Sequence, residues 1–470
     1  MKIEQLYTGC LAEAAYYIES NGEAAIIDPL RDPQPYIDLA EKNGAKIKYV
    51  LETHFHADFV SGHLDLAKAT GATIVYGPTA QPNFEAHVAT DGEVLMLGNV
   101  MIKVLHTPGH TMESSSYLLI DENGKEHSVY TGDTLFIGDV GRPDLAVKTD
   151  LSQEDLAGFL FDSLRNKIMI LPDDVIVYPN HGQGSACGKN MSSETFDTLG
   201  NQKKTNYALK AEMTKAEFIK EVLTGLVAPP QYFPKNAVMN KMGYDAFESI
   251  KAKGLTALSA DAFELEMEVE NTLVIDTRNQ SDFVAGHIPN SLFIGIDDNF
   301  APWVGALVTD LNTRILIVAN QGREEEAITR LSRVGYDNAI GFLNGGFDAW
   351  QNANKPTNEV NCISAEEFAY AYDRDELAVL DVRKHSEYES QHVQGVENFP
   401  LDTLQSHLSE LNKHKEYTLH CAGGYRSVIA ASILMRNGFD DLVNVLGGFN
   451  AIKATGKVRT TAYQAPVTLL

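Results

Sequence analysis

The chain has 470 residues, of which 44% are hydrophobic and 22% are charged. This length predicts roughly three domains at about 100 to 200 residues each, and the composition is typical of folded domains rather than of a disordered chain. The formal net charge of −26 repels a phosphate backbone and an anionic membrane surface, so we expect neither nucleic acid nor a membrane as a partner.

The first residues and the cysteines indicate where the protein works. Met1-Lys2-Ile3 opens the chain without a basic stretch followed by an apolar run, and no window approaches the ~18 apolar residues of a membrane span. The four cysteines stand at wide spacings without a CxxC pair, which argues against a disulfide framework. We therefore expect a cytoplasmic protein, in which a lone thiol is either a core residue or a reagent.

The first part of the chain alternates short β-rich runs with helical patterns. Residues 23–28, 47–51, 100–105 and 175–178 are predicted strands, and residues 190–225 have a helical pattern that the Pro-rich stretch 228–234 ends. We predict a layered α/β or α+β domain over residues 1–250, with polar clusters in the loops that follow the strands.

The rest of the chain repeats itself. Ser259-Ala260-Asp261-Ala262-Phe263 recurs as Ser364-Ala365-Glu366-Glu367-Phe368, and residues 274–278 recur as 379–383, both at an offset of 105. His287 and His392 share that offset. We predict two homologous α/β domains, over residues 257–352 and 360–460, so the whole chain is an α/β multidomain protein.

Candidate metal ligands cluster after the predicted strands. His54-x-His56-x-Asp58 puts three ligands in one short loop directly after a strand. His110, Asp133 and His181 follow later strands. A lone histidine is more often structural, but this many groups at strand ends favour a metal site.

These residues resemble the metallo-β-lactamase superfamily over residues 1 to about 200, in the signature HxHxDH followed by His, Asp and His in this order. The resemblance implies an N-terminal αββα sandwich. Phe59 stands where the binuclear members have the last histidine of HxHxDH, which argues against a site with two metals.

His54, His110 and Asp133 resemble the two-histidine, one-carboxylate triad of the persulfide dioxygenases, a glyoxalase II-like branch of the superfamily. The resemblance implies one Fe(II) per chain, which zinc could replace in purified protein. His56, Asp58 and His181 would then orient the ligands, act as additional ligands, or serve only as structural hydrogen-bonding groups.

Two further residues lie near this set in the sequence. Arg142, in Gly141-Arg142-Pro143-Asp144, resembles the arginine that faces the substrate cavity in the dioxygenase branch, where it would bind a carboxylate or phosphate of a small thiol. A plain ion pair is the alternative. Cys187, six residues past His181, is either a buried structural thiol or a group that meets a sulfur substrate.

The last domain contains a nucleophile loop. Residues 418–428 read as a strand, a Gly-rich loop and a helix start, in which backbone N–H groups would stabilise a thiolate or persulfide on Cys421. Gly423, Gly424 and Ser427 belong to the expected substrate cradle, and Arg426 would add a positive charge. The loop is one residue shorter than that of cysteine phosphatases and resembles rhodaneses.

The first copy lacks this nucleophile. Residues 317–323 align with 420–426 without a gap, and Val318 occupies the place of Cys421. We predict a catalytically silent rhodanese fold, in which Arg278 and Arg323 either hold an anion or have a structural role.

The resemblances together imply a persulfide dioxygenase fused to a sulfurtransferase. Its partners would be a small thiol persulfide such as glutathione persulfide, dioxygen, and sulfite or thiosulfate, with self-association into a homo-oligomer left open. Two alternatives remain, a zinc thioester hydrolase of the glyoxalase II type and a non-enzymatic sulfur relay in which the metal is structural.

Overall fold

A computed structural model describes residues 1–145, 151–226, 228–374 and 377–465. The chain divides into two compact units, Met1–Ser249 with Ser332–Gly335, and Ile250–Leu331 with Tyr336–Leu470. Every helix in the part of the chain that the structure describes is too short or too polar to traverse a lipid bilayer.

Two six-stranded sheets form the centre of the first unit. One sheet has the order β1-β2-β3-β4-β5-β6 and the other has the order β12-β11-β10-β9-β8-β7. The strands are β1 (Lys2–Thr8), β2 (Glu13–Ser20), β3 (Glu23–Ile27), β4 (Lys46–Leu51), β5 (Thr73–Tyr76), β6 (His87–Val88), β7 (Val94–Leu97), β8 (Val100–His106), β9 (Ser115–Ile120), β10 (Glu126–Gly132), β11 (Ile176–Pro179) and β12 (Asp197–Thr198).

Helices lie between and after these strands in the sequence. They are α1 (Gln34–Lys42), α2 (His63–Thr70), α3 (Gln153–Ser163), α4 (Leu199–Thr205), α5 (Lys215–Leu223), α6 (Phe233–Met242) and α7 (Phe247–Gly254). Side chains of α1 and α2 pack in one core with β2 and β3, and side chains of α3 and α5 pack in another with β9, β10 and β11. The layers therefore run helix, sheet, sheet, helix, which confirms the predicted αββα sandwich.

Strand β2 shows how the sequence encodes two buried faces. Ala14, Tyr16 and Ile18 belong to the core between the sheets, whereas Ala15 and Tyr17 belong to the core under the helices. Because side chains alternate across a strand, a central strand covered on both sides reads as a continuous apolar run.

The predicted helical pattern over residues 190–225 is only partly correct. Two helices, α4 and α5, lie there, and Asn206 ends the first of them. The buried Asn206 amide donates to the carbonyls of Phe136 and Asp139, so its side chain serves a tertiary contact that the helical pattern does not reveal.

The second unit contains two five-stranded parallel sheets of the same topology. Their orders are β13-β17-β16-β14-β15 and β18-β22-β21-β19-β20. The strands are β13 (Ala257–Leu258), β14 (Thr272–Asp276), β15 (Leu292–Phe293), β16 (Arg314–Val318), β17 (Ala339–Leu343), β18 (Asn361–Ile363), β19 (Val379–Asp381), β20 (Glu397–Asn398), β21 (Tyr417–His420) and β22 (Leu442–Val445).

The helices of this unit alternate with its strands. They are α8 (Ala260–Met267), α9 (Gln280–Ala285), α10 (Phe300–Leu307), α11 (Glu324–Arg333), α12 (Gly346–Asn352), α13 (Ala365–Tyr372), α14 (His385–Ser390), α15 (Leu404–His407), α16 (Tyr425–Arg436) and α17 (Gly448–Ala454). Strand and helix alternation around parallel sheets confirms the predicted α/β fold class of both copies.

The repeated motifs have structural roles. Ser259 and Ser364 cap α8 and α13 through their hydroxyls, and each is followed by a fully buried phenylalanine. His287 and His392 each stack on an aromatic ring four residues earlier and contact that residue's carbonyl. The residues that recur in the two copies are therefore those that begin a helix or pack in the core.

Candidate functional site

Three strand ends bring His54, His110 and Asp133 together. His54 follows β4, His110 lies between β8 and β9, and Asp133 follows β10, and their donor atoms all lie within 4.8 Å of one another. Asp133 Oδ2 is 3.4 Å from His110 Nε2 and 4.0 Å from His54 Nε2. The close approach of β10 to Thr53 requires glycine at Gly132, whose φ is 51° and whose Cβ would stand 2.5 Å from Thr53 Oγ1.

Hydrogen bonds fix the orientation of both imidazoles. His110 Nδ1 lies 2.8 Å from the Arg142 carbonyl, which only an N–H can satisfy. His54 Nδ1 lies 3.0 Å from Thr53 Oγ1, and that hydroxyl donates to Asp28 at 2.8 Å. Each ring therefore donates through Nδ1 and turns the lone pair of Nε2 toward Asp133, as metal-ligating histidines do.

The charge state of the group also suits a metal. Burial and the neighbouring histidines hold the pKa of His54 well below its usual value, so this ring is neutral at pH 7. Asp133 is buried, and no group in the described parts of the chain hydrogen-bonds either of its carboxylate oxygens. Two imidazoles and one buried carboxylate without a hydrogen bond fit a divalent cation with open coordination positions.

The His56 ring lies 4.2 Å from the His54 ring between centroids, but its Nε2 faces two acids. Its Nε2 is 3.0 Å from Asp28 Oδ1 and 3.5 Å from Glu52 Oε2. Burial disfavours the charged ring, but Asp28 and Glu52 outweigh burial and raise the pKa of His56 to about 10. Phe59, fully buried, stacks on this ring at 4.3 Å between centroids. His56 is thus a charged partner for Asp28, which in turn holds Thr53 beside His54.

Asp58, His181 and Cys187 form a second set of donors, also within 4.8 Å of one another. His181 Nε2 is 3.2 Å from Asp58 Oδ2 and 3.6 Å from Asp133 Oδ1. Burial, together with Asp58 and Asp133, raises the pKa of the Cys187 thiol well above its usual value, so the thiol is protonated at neutral pH. From the sequence, Cys187 is either a structural thiol or a substrate contact. The sequence does not predict that Cys187 could be a metal ligand.

Arg142 is engaged by an acid two residues away. Its Nε and Nη2 donate to the two carboxylate oxygens of Asp144 at 2.7 Å, and Nη1 donates to the Ala186 carbonyl at 3.3 Å. The guanidinium is nearly buried, at 3% exposure. Arg142 thus forms an ion pair with Asp144, which the sequence analysis gave as the alternative to binding a substrate.

A cavity of about 370 Å³ opens beside His110. Phe55, Met112 and Leu145 contribute apolar surface to its wall, and Glu113 and Lys241 contribute opposite charges. A small organic molecule with both charged and apolar parts could therefore lie against His110.

The predicted nucleophile loop has the expected form. Cys421 follows β21 and is buried, its sulfur accepts the Gly424 N–H at 3.1 Å, and the Ser427 hydroxyl lies 3.6 Å away. Gly424 caps α16 with a φ of 103°, a left-handed conformation that favours glycine. Gly423 is exposed at the rim of the loop.

Arg426 is held by a residue that sequence reasoning missed. Its two terminal nitrogens donate to the two oxygens of Glu387 at 2.5 and 2.8 Å. Burial opposes ionisation of Glu387, but the hydrogen bonds and charge of Arg426 hold the pKa of that carboxyl below its usual value. A bidentate pair fixes the plane of the guanidinium beside the sulfur loop.

The corresponding loop of the first copy is built differently. The first residue of α16, Tyr425, aligns with Gly322 of the first copy. Helix α11 begins only at Glu324, two residues after that aligned position. Arg323 pairs with Asp297 and Glu326 at 2.7 and 2.8 Å. Arg278 pairs with Asp276 as Arg383 pairs with Asp381, so this motif holds the fold together in both copies.

Comparison with known proteins agrees with this architecture. Residues 8–181 match the metallo-beta-lactamase superfamily, and residues 259–353 and 364–455 match the rhodanese-like domain. A probable hydroxyacylglutathione hydrolase of Schizosaccharomyces pombe is 32% identical over 41% of this chain and 75% of its own length. The cytoplasmic hydroxyacylglutathione hydrolase of Arabidopsis thaliana is 36% identical over 38% of this chain and 67% of its own length.

A solved structure extends the similarity beyond the first unit. A metallo-beta-lactamase of Staphylococcus aureus subsp. aureus COL has 32% identity and a TM-score of 0.64, covering 73% of this chain and 98% of that one. The chain therefore belongs to the metallo-beta-lactamase superfamily, with a glyoxalase II-like domain followed by tandem rhodanese-like domains.

Proposed function

We propose that this protein is an Fe(II)-dependent persulfide dioxygenase fused to a rhodanese sulfurtransferase. The observation that carries the proposal is the buried group of His54, His110 and Asp133, which offers two imidazoles and a single carboxylate. That donor set favours non-haem Fe(II) with positions open for dioxygen and substrate. Bound iron would supply the redox chemistry of dioxygen activation.

The residues around the metal would bind and orient the substrate. The cavity beside His110 would receive the thiol part of a persulfide, with Phe55 and Met112 against its carbon atoms. Lys241 and Glu113 would pair with a carboxylate and an ammonium group, which favours thiols derived from amino acids. In the overall reaction R–S–S⁻, O₂ and water give R–S⁻, sulfite and two protons, with the outer sulfur oxidised and dioxygen reduced.

The Cys421 loop would carry sulfur in the second reaction. The Cys421 thiolate attacks the outer sulfur of a persulfide or of thiosulfate, the original S–S bond breaks, and the leaving thiolate or sulfite takes its electron pair. Gly424 N–H and the Ser427 hydroxyl are placed to stabilise the sulfur anion that remains. Sulfite can then attack the Cys421 persulfide and leave as thiosulfate, so the product of one site is a substrate of the other.

The direct test is dioxygen consumption by iron-loaded protein given synthetic glutathione persulfide. We expect uptake that depends on both iron and persulfide and that the variant Cys421→Ser retains, because Cys421 serves only the second reaction. Uptake no greater than that of buffer with free iron would overturn the proposal.

A zinc thioester hydrolase is the second candidate. Two observations favour it, the hydroxyacylglutathione hydrolases among the relatives and the second donor set of Asp58, His181 and Cys187. It predicts two zinc ions per chain and hydrolysis of S-lactoylglutathione. Metal analysis of anaerobically purified protein separates the two candidates when dioxygen consumption with glutathione persulfide and hydrolysis of S-lactoylglutathione are measured on the same sample.

A further inference from the structure

The first rhodanese-like copy lies directly against the sulfur loop of the second. Within this unit, Gln280 Nε2 donates to the Gly424 carbonyl at 3.0 Å and the Tyr425 hydroxyl donates to the Gly295 carbonyl at 3.4 Å. The Phe293 N–H donates to Ser432 Oγ at 3.1 Å, and its ring packs on Tyr425 at 5.4 Å between centroids. The silent copy thus contacts the loop and helix that hold Cys421.

Gly424 is the residue through which these contacts reach the sulfur. Its N–H donates to Cys421 Sγ, and its carbonyl accepts both Gln280 Nε2 and the Ser427 hydroxyl. Glycine has the widest backbone freedom of any residue, so the direction of its N–H depends on what holds its neighbouring peptide groups. The Gln280 amide holds one of these groups from outside the second copy.

Among the described residues, the Gln280 contact has no counterpart that runs from the second copy to the first. The residue of the second copy that aligns with Gln280 is His385, whose side chain is 73% exposed. Its described contacts are Asn398 and Glu389, both within its own copy. The copy without a nucleophile therefore supplies the contact, and the copy with the nucleophile receives it.

We propose that the silent copy is a positioning domain for the sulfurtransferase, in which Gln280 and Phe293 hold Gly424 and Tyr425 so that the Gly424 N–H stays on the Cys421 sulfur. This inference rests on the sulfur transfer proposed for Cys421. Gln280 acts through Gly424 and needs no contact with substrate, which makes it a positioning residue.

The test is the variant Gln280→Leu, which keeps an uncharged side chain of similar bulk and removes the donor. We expect the rate of alkylation of Cys421 by iodoacetamide, followed on its peptide by mass spectrometry, to fall about two- to tenfold, the scale of one lost hydrogen bond. The kcat of sulfur transfer from thiosulfate to cyanide should fall by a similar factor with KM little changed. Tyr425→Phe, which loses only the contact with Gly295, should give a smaller loss in the same direction.

The matched control is Gln321→Leu, an exposed glutamine of the same copy, which should leave both rates unchanged. Equal rates for wild type and Gln280→Leu, with equal melting temperatures, would overturn the positioning role. A fall in melting temperature with unchanged kcat would also overturn it, since the contact would then serve stability alone. Absence of sulfur transfer in the wild type would refute the proposed activity instead.

Discussion

At the scale of single residues, the candidate metal centre rests on Asp133, whose buried carboxylate accepts no hydrogen bond from the described residues. The described groups around it leave both carboxylate oxygens without hydrogen bonds, while His54 and His110 are tied down through Nδ1. A buried carboxylate without a hydrogen bond is costly, and a bound cation removes that cost. The second donor set around Asp58 has a cysteine whose thiol must first lose a proton.

We predict that Asp133→Asn loses the metal and that Asp58→Asn keeps it. Asparagine is of the same size but neutral, so the weakening at Asp133 should exceed the ~10–100-fold that even an outer hydrogen-bonding partner costs. Elemental analysis after gel filtration measures this. Equal metal contents in the two variants would contradict a single site at Asp133.

Lys241 contributes a positive charge to the wall of the cavity beside His110. Changing Lys241→Met should raise KM for glutathione persulfide about two- to fivefold, the scale of one exposed ion pair, with kcat little changed. The persulfide of 2-mercaptoethanol, which has no carboxylate, is the matched control substrate and should be unaffected. An equal change in KM for both substrates would show that Lys241 does not recognise the carboxylate.

His63 gives the first unit a predicted sensitivity to acid. Burial and the charges of His56 and Arg31 lower the pKa of His63 to about 3 from the model-peptide value of 6.5. A lowered folded-state pKa contributes stability that is complete above 6.5 and is lost as pH falls toward 3.

We therefore expect His63→Phe to flatten the dependence of unfolding free energy on pH in that window. The difference in slope between wild type and variant should approach about 1.4 kcal/mol per pH unit, which corresponds to one proton. Urea unfolding at several pH values measures it. Parallel curves for the two proteins would refute the assignment.

At the scale of elements, the two rhodanese-like copies differ in where a helix starts. Helix α16 begins directly after Gly424, so its N-terminus lies behind Cys421, whereas α11 begins two residues later relative to the aligned position. Gln321 stands where the second copy has Gly424. The first copy has therefore lost the cradle for a sulfur anion as well as the cysteine.

It follows that Val318→Cys should not create a second sulfurtransferase. In a chain that also has Cys421→Ser, we expect transfer from thiosulfate to cyanide to stay at the level of Cys421→Ser alone. The reason is that no glycine N–H and helix start are in place to stabilise the new thiolate. Sulfur transfer measurably above that level would contradict the prediction, because a cysteine at position 318 would then suffice without the glycine N–H and the helix start.

The elements with strong local patterns were predictable from the sequence. Apolar runs predicted β3, β4, β8 and β11. The repeat in the sequence predicted two homologous domains, and these have the same sheet order. The helical pattern over 190–225 was only partly correct, because the tertiary contacts of Asn206 end α4. Local periodicity does not contain that information.

The candidate site was predictable where its residues belong to motifs. His54, His110, Asp133, Cys421 and Arg426 stand at strand ends or in the loop, as expected. Partners from distant segments, such as Glu387 on Arg426 and Gln280 on Gly424, have no sequence signature because their contacts arise only on folding. The acid beside Arg142, in contrast, is two residues away and could have been anticipated.

At the scale of the whole molecule, one chain carries the candidate sites of two proposed reactions. The first unit offers a metal site with a cavity, and the second offers one sulfur loop with a silent copy packed on it. The net charge of −26 disfavours polyanionic partners, which agrees with small-molecule substrates for both sites. Sulfite links the two proposed reactions and can diffuse between them.

The most direct measurement follows dioxygen uptake and sulfite formation together in anaerobically purified, iron-loaded Cys421→Ser protein given glutathione persulfide. The proposed function predicts about one iron per chain and equal amounts of dioxygen consumed and sulfite formed, since this variant cannot convert sulfite into thiosulfate. No uptake above background, in a sample that instead binds two zinc ions and hydrolyses S-lactoylglutathione, would contradict it.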